Sequence, residues 1–284
     1  MNATELNGLR SSISSLPNWK LRELQDRLRK QGMTIPRLKR FQFSPQLPHP
    51  KQRIFLQLDE REVFFGGAAG GSKSSALLMA ATEYVDVPGY AALILRRTLA
   101  DLKLSGALMD RAGDWFRGTG AQWAQGHKTW TFPGGGTITF GYLASENAKY
   151  RYGSAEFQFI AFDEASQFTE SQYTFLFSRL RKNVSIDVPL RMRAASNPGG
   201  VGHLWVRERF ISHEAADAIR EDRAKPIYAK RTPEGEVTYF VPSKLKDNPS
   251  VDESDYKLSL QRLDPITRAQ LLAGDWTAAP DGVI

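Results

Sequence analysis

Short apolar runs alternate along the chain with segments of helical character. Strands are predicted at 63–65, 91–95, 157–162 and 190–195, a β-hairpin at 130–140, and helices at 74–84 and 99–117. The runs at 91–95 and 157–162 are apolar almost throughout, which is typical of interior strands covered on both faces. The pattern predicts an α/β fold with a mostly parallel central sheet flanked by helices.

The two flanks of this region have a different pattern. Leucines recur among charged residues over 20–31 and Gly32 follows, which predicts an amphipathic helix with a glycine stop. This helix either packs on the body of the protein or docks a partner protein, and its pattern fits both. Beyond residue 203 the sequence predicts a helix near 204–213, a strand pair at 227–229 and 237–241, and helices between 252 and 274.

Composition excludes several classes of protein. The chain has 284 residues, 41% of them hydrophobic and 24% charged, which fits one large globular domain or one domain with appendages. It has no apolar run of about 18 residues and no leader of the secretory type, so neither a membrane span nor a signal peptide is predicted. The absence of cysteine excludes disulfides and thiolate chemistry, and the 4 histidines are scattered. A net charge of +7 permits a polyanionic partner without requiring one.

Small residues follow the first predicted strand and precede an apolar helix. The candidate phosphate-binding residues are Gly67, Ala68, Ala69, Gly70, Gly71, Ser72, Lys73, Ser74 and Ser75. Glycines let the backbone curl so that its N–H groups point at one anion, and the helix N-terminus adds positive field. In such a P-loop the Lys73 ammonium contacts the β- and γ-phosphates, and the Ser74 hydroxyl ligates Mg²⁺. Ser72 stands where the usual pattern has glycine, so the alternative is an ordinary glycine-rich turn with a surface lysine.

Two adjacent acids end the apolar strand at 157–162. We expect Asp163 to hold Mg²⁺ and Glu164 to orient and deprotonate the attacking water. A pair of acids after a strand also arises by chance at turns. The P-loop upstream favours the catalytic interpretation, because the two features together form the two halves of a nucleotide site.

Small polar residues end the strand at 190–195. Ser196 and Asn197 precede a Pro-Gly-Gly turn, and both side chains can hydrogen-bond a γ-phosphate or the lytic water. A plain Ser-Asn-Pro-Gly turn is the alternative. Position at the carboxyl end of a third core strand favours a role in sensing the phosphate.

The order of these parts resembles the large terminase subunit of tailed bacteriophages. The resemblance covers roughly residues 45–280 and rests on the Ser-Lys-Ser P-loop, a Leu-Arg-Arg-Thr strand end, an Asp-Glu-Ala strand end, a Ser-Asn-Pro strand end and the Leu-Leu-Ala-Gly-Asp-Trp segment. It implies a P-loop NTPase of the RecA-like (ASCE) class with a small C-terminal lid. The implied division is a helical appendage at 1–40, an ATPase core at 41–203, and a lid and linker at 204–284 that lead to a nuclease domain absent from this chain.

The same resemblance implies the roles of two further residues. Gln52, upstream of the P-loop, is similar in position to the adenine-reading glutamine of several P-loop motors, although a helix-surface residue is the plainer interpretation. Arg151 stands closest to the place of an arginine that acts in trans on the ATP of a neighbouring subunit. Arg96, Arg97 and Arg179 are competing candidates for that role.

The function implied by the resemblance is ATP-driven translocation of double-stranded DNA into a procapsid. The implied cofactors are ATP and Mg²⁺. The implied partners are the capsid portal protein, the small terminase subunit and further copies of this chain in a ring of five, although the chain alone can be a monomer. The implied location is the bacterial host cytoplasm, transiently at the portal, with no membrane. Two alternatives stay open: another P-loop DNA motor such as a helicase or repair ATPase, and a nucleotide-binding assembly module with little turnover.

Overall fold

Nine strands form the framework of the protein. The structure is a computed structural model that describes residues 43–182, 184–232 and 235–278, so the helix predicted at 20–31 lies outside the described residues. The strands are β1 (Glu62–Gly67), β2 (Ala91–Arg96), β3 (Gln122–Ala124), β4 (Thr129–Thr131), β5 (Thr137–Tyr142), β6 (Phe159–Asp163), β7 (Arg191–Ser196), β8 (Tyr228–Arg231) and β9 (Val237–Ser243).

Helices connect the strands. They are α1 (Pro50–Gln57), α2 (Lys73–Ala81), α3 (Leu99–Lys103), α4 (Leu108–Phe116), α5 (Glu170–Phe177), α6 (His203–Phe210), α7 (His213–Arg220), α8 (Glu253–Leu260) and α9 (Pro265–Arg268), which continues into a π-helical turn, Ala269–Ala273. Short 3₁₀ helices occur at Thr82–Tyr84, Glu146–Tyr152, Ala165–Gln167 and Leu245–Asp247. Among the described residues, no helix has the length and apolar character needed to cross a membrane.

The nine strands form one mixed sheet in the order β3-β4-β5-β2-β6-β7-β1-β9-β8. The six strands from β5 to β9 in this order pair in parallel, and antiparallel strands flank them at both edges. The predicted α/β class with a mostly parallel sheet is therefore confirmed. The hairpin predicted at 130–140 is confirmed too, as the antiparallel pair β4–β5.

Two apolar cores cover the two faces of the sheet. Val63 and Phe65 of β1 belong to one core, and Phe64 between them belongs to the other. This alternation is the period of a strand, with both faces of β1 buried. The carboxyl end of β1 is therefore enclosed between two packed layers.

The carboxyl ends of three neighbouring parallel strands place the predicted site residues side by side. In the register of the sheet, Gly66 of β1 pairs with Ser196 of β7, and Ala195 of β7 pairs with Asp163 of β6. The strand with the Ser-Asn end therefore lies between the P-loop strand and the strand with the two acids. This edge is where open α/β sheets bind ligands.

The structure departs from the sequence analysis at two places. The helix predicted over 99–117 is two helices, α3 and α4, because the chain turns at Gly106, whose φ is 73°. The division predicted at residue 204 falls inside the sheet, since β9 pairs in parallel with β1 from Val63 to Gly67. All the described residues belong to one compact unit. Within the segment 204–278, the contacts with the P-loop begin at Ser243, the last residue of β9.

Candidate nucleotide-binding site

The loop between β1 and α2 has the backbone conformation that a P-loop needs. Gly67 and Gly70 have φ values of 133° and 76°. A Cβ at position 67 would lie 2.3 Å from the carbonyl oxygen of Ser243, so only glycine fits there. Ser72 has a φ of 58°, in the left-handed region that glycine usually occupies. The serine that departs from the usual motif thus adopts the conformation of the glycine it replaces.

Segments that follow β8 hold the loop in this path. The N–H of Ala68 donates to Ser243 O at 2.8 Å, and the N–H of Ala69 donates to Leu271 O at 2.7 Å. The side-chain amide of Asn248 donates to Gly70 O at 2.6 Å. The first N–H groups of α2 have no acceptor within the helix, as at every helix start. Such N–H groups at the start of a helix can bind an anion.

Lys73 and Ser74 begin α2 at the floor of the loop. The buried Lys73 ammonium donates to Ala68 O at 2.5 Å. Burial lowers its pKa to about 8, although Glu164 and Asp163 act in the opposite direction. The Ser74 hydroxyl donates to Asp163 Oδ1 at 2.8 Å. The P-loop and the acid pair, 89 residues apart in the chain, therefore meet in one site.

Arg96 pairs with the first of the two acids. Its Nε donates to Asp163 Oδ2 at 2.6 Å, and the carboxylate of Asp163 is buried. The pair forms because β2 and β6 are neighbours in the sheet. Arg96 was one of the candidates for the trans-acting arginine, and in this structure it contacts the acid pair of its own chain.

Glu164 follows β6 in a left-handed conformation with φ 55°. Desolvation raises the pKa of its carboxyl, Asp163 raises it further, and Lys73 and Arg96 oppose the shift. The Ser196 hydroxyl donates to Glu164 Oε2 at 3.4 Å and lies 2.7 Å from the Ser166 hydroxyl. The end of β7 is thereby connected to the acid pair.

Asn197 lies in the same site. Its side-chain oxygen is buried and has no hydrogen-bond partner among the described residues. A buried carbonyl oxygen of this kind is costly unless a further donor binds it. An ordered water or a ligand group in the pocket would supply that donor.

Gln52 and Arg151 do not line the pocket. The buried Gln52 amide accepts from the N–H of His49 at 2.9 Å and donates to Ser72 O at 2.9 Å. The exposed Arg151 donates to Tyr142 O at 2.9 Å and stacks over the Tyr142 ring, 4.5 Å from its centroid. The adenine role of the first and the trans role of the second stay predictions. Arg97 and Arg179 donate to backbone oxygens elsewhere.

The pocket over the P-loop has a volume of about 520 Å³. Of the predicted site residues, residues 69–75, Glu164 and Asn197 line it. Eight further residues that no sequence pattern singles out also line the pocket: Pro45, Gln46, Arg111, Trp115, Asn248, Ser250, Val251 and Tyr256. They come from segments without a recognisable motif, so only the tertiary fold brings them together.

The chemistry of Ser74 and Asp163 fits Mg²⁺. A hydroxyl and a carboxylate oxygen lie 2.8 Å apart, and oxygen ligands are those that Mg²⁺ prefers. The described residues contain no group of three or more His, Asp or Glu side chains placed to hold a metal on their own.

Comparison by sequence finds no matching protein-family model and no matching curated protein. Comparison by structure finds the large terminase of a thermophilic bacteriophage. Its complex with ADP matches at a TM-score of 0.56 and 16% identity, over 81% of this chain and 54% of the terminase. Its complex with ATP-γ-S matches at a TM-score of 0.54 and 16% identity, over 80% and 52%. This chain thus spans about half the length of that terminase.

A second match comes from another phage. The ATPase domain of the Thermus phage P74-26 large terminase matches at a TM-score of 0.51 and 14% identity, over 83% of this chain and 96% of that domain. The match to that domain is nearly complete in length. The chain described here has the fold of the ATPase domains of bacteriophage large terminases.

Proposed function

We propose that this chain is an ATPase that drives double-stranded DNA into a phage procapsid. One observation carries the proposal: the Ser74 hydroxyl of the P-loop donates to Asp163, while Glu164 and Asn197 line the pocket above the same loop. The fold shared with a phage large terminase, which has been solved with ADP and with ATP-γ-S, supports the proposal.

In the proposed mechanism, the amides at the start of α2 and the Lys73 ammonium hold the β- and γ-phosphates. Lys73 exchanges its hydrogen bond with Ala68 O for the phosphate oxygens. Ser74 and Asp163 hold Mg²⁺, which neutralises phosphate charge when bound. The Glu164 carboxylate accepts a proton from the attacking water, and the upward shift of its pKa makes it a stronger proton acceptor. Ser196 and Asn197 respond to whether the γ-phosphate is present.

The assembly is part of the same proposal. Copies of the chain form a ring, five by the resemblance, at the portal of the procapsid in the host cytoplasm. The small terminase subunit and double-stranded DNA are the further partners. Arg151 supplies its guanidinium to the ATP of the neighbouring copy, where such an arginine stabilises transition-state charge. Its position outside the pocket of its own chain is compatible with that role.

Two variants test the proposed ATPase site. We expect Lys73→Ala to abolish binding of a fluorescent ATP analogue, and Glu164→Gln to bind the analogue with near wild-type affinity while losing hydrolysis. Phosphate release is measured with and without double-stranded DNA. Lys103→Ala and Glu156→Gln, which change exposed residues outside the pocket, are the matched controls. Unchanged binding by Lys73→Ala would remove the P-loop assignment, and an active Glu164→Gln would show that the base lies elsewhere.

A further inference from the structure

The two ends of the pocket differ in chemistry, and this difference orients a nucleotide within it. Glu164 and Asn197 line one end, where the proposed function places the γ-phosphate. Ser75 lines the pocket one residue beyond Ser74, on the first turn of α2. A triphosphate that runs from Glu164 along the loop therefore reaches Ser75 with its α-phosphate, and the ribose and base lie beyond it.

Arg111 marks this second end. Its Nη1 donates to Ser75 Oγ at 2.5 Å, and its Nη2 donates to Gly106 O at 2.9 Å. The backbone turn between α3 and α4 thus holds the guanidinium in the pocket wall. Trp115 lies four residues later on α4, on the same face of the helix, and lines the pocket as well.

An aromatic cluster fixes the remaining wall of this end. The Phe43 ring packs edge-on against Phe132, with centroids 4.8 Å apart, and against Phe116, with centroids 6.3 Å apart. These contacts place the following residues, Pro45 and Gln46, beside the end of α4, and both line the pocket.

The other aromatic residue of the lining stands at the phosphate end. A Cβ on Gly70 would lie 3.2 Å from the Tyr256 ring. Burial raises the pKa of Tyr256, and the Glu164 carboxylate adds to that shift. Of the two aromatic residues that line the pocket, Trp115 is therefore the one placed to contact the base of a bound nucleotide. Its indole is half-buried, with part of its surface open to the pocket.

We propose that Trp115 and Arg111 form the base and ribose end of the nucleotide site. The indole of Trp115 stacks on the nucleobase, and the guanidinium of Arg111 donates to ribose or α-phosphate oxygens. The inference rests on the proposed function and adds to it the side chains that bind the nucleoside. Because every base has an aromatic face, stacking on Trp115 supports binding of any nucleoside triphosphate. Gln52 does not line the pocket, and its amide is bonded to the backbone.

The test compares the binding affinity of a nucleotide with that of a triphosphate chain that lacks the nucleoside. Binding of the non-hydrolysable ATP analogue AMP-PNP and of inorganic tripolyphosphate, both with Mg²⁺, is measured by calorimetry on the full chain. We expect Trp115→Leu, which keeps an apolar side chain against the core, to weaken AMP-PNP binding about tenfold or more and to leave tripolyphosphate binding unchanged. Trp123→Leu is the matched control, because Trp123 is also half-buried against the same core but does not line the pocket.

The outcomes separate the inference from the proposed function. A Trp115→Leu protein that binds both ligands like the wild type, or loses both equally, would overturn the inference. Loss of AMP-PNP binding in Trp123→Leu to the same degree would overturn it too. A wild type that binds AMP-PNP through Trp115 but never hydrolyses ATP would leave the inference standing and defeat the proposed ATPase. A wild type that binds no nucleotide would defeat both.

Discussion

The imidazole of His203 stacks on the indole of Trp276, with ring centroids 5.5 Å apart and 24° between the ring planes. Its Nδ1 accepts from the N–H of Gly199 at 2.9 Å, so its proton is on Nε2, which donates to Trp276 O at 3.1 Å. Both nitrogens of the neutral imidazole therefore form hydrogen bonds. They join the turn that follows Asn197 to the segment that lies against the P-loop.

The first prediction concerns pH. Burial lowers the pKa of His203 below its ordinary value of 6.5. The unfolded chain then binds more protons than the folded protein between the two pKa values. The contribution of His203 to the free energy of unfolding is complete above pH 6.5 and is lost as the pH falls below it. We expect urea unfolding to show a larger loss of stability from pH 7.5 to 5.5 in the wild type than in His203→Gln.

The control for this prediction is His213→Gln, because His213 is exposed at the start of α7. That variant should keep the pH dependence of the wild type. If His203→Gln and the wild type lose equal stability on acidification, the neutral ring of His203 is not the source of the pH dependence.

The second prediction concerns Gly274, whose φ is 70°. A Cβ there would lie 2.6 Å from the backbone nitrogen of Ala68 and 2.9 Å from Gly67. We expect Gly274→Ala to lower the free energy of unfolding by more than the roughly 1–2 kcal/mol of left-handed backbone strain, and to weaken ATP binding by displacing the loop. Thermal unfolding and calorimetry measure the two effects.

Gly118→Ala separates the cost of left-handed backbone strain from the cost of a steric clash with the P-loop. Gly118 has a φ of 80° and nothing within 4 Å of an added Cβ. It should therefore show the strain alone, with unchanged ATP binding. Equal effects of the two alanines on stability and binding would contradict the contact between Gly274 and the P-loop.

The third prediction concerns Gln52. Its amide connects the backbone before α1 to the P-loop at Ser72. We expect Gln52→Ala to lower the free energy of unfolding by about 1–3 kcal/mol in the absence of nucleotide, since it leaves the N–H of His49 without its partner and removes one of the two donors to Ser72 O. Gln57→Ala, which changes an exposed residue of the same helix, should have little effect. A Gln52→Ala protein of wild-type stability that selectively loses ATP binding would instead favour the adenine role.

The fourth prediction tests Arg151 as a group that acts between copies. Arg151→Ala and Glu164→Ala proteins should each be inactive under conditions where the wild type hydrolyses ATP. Mixing them should restore part of the activity, because one interface then combines an intact Arg151 with an intact Glu164. Arg179→Ala is the control and should hydrolyse ATP without mixing, because the proposal gives Arg179, which donates to Gly153 O, no contact with ATP. Absence of rescue in the Arg151 mixture would count against a trans role.

The parts of the site that local sequence encodes were predictable. A glycine-rich loop before Lys73 and two acids after an apolar run need only short-range pattern, and the structure brings them together. The ion pair of Arg96 with Asp163 was not predictable, because it depends on which strands are neighbours. The same holds for Trp115, which reaches the pocket only because the chain turns at Gly106 and starts a second helix.

The pairing of β9 with β1 bears on which fragments of this chain can be studied alone. A fragment that stopped at residue 203 would turn β1 into an edge strand, with the unpaired backbone groups of Val63–Gly67 facing solvent. The side chains of Phe64 and Phe65 would lose part of their cover at the same time. Such a fragment would contain every nucleotide-binding motif. It would also expose an unpaired strand and apolar side chains, which favour self-association. Shorter versions of the protein made for solution work should therefore keep the chain at least through Ser243.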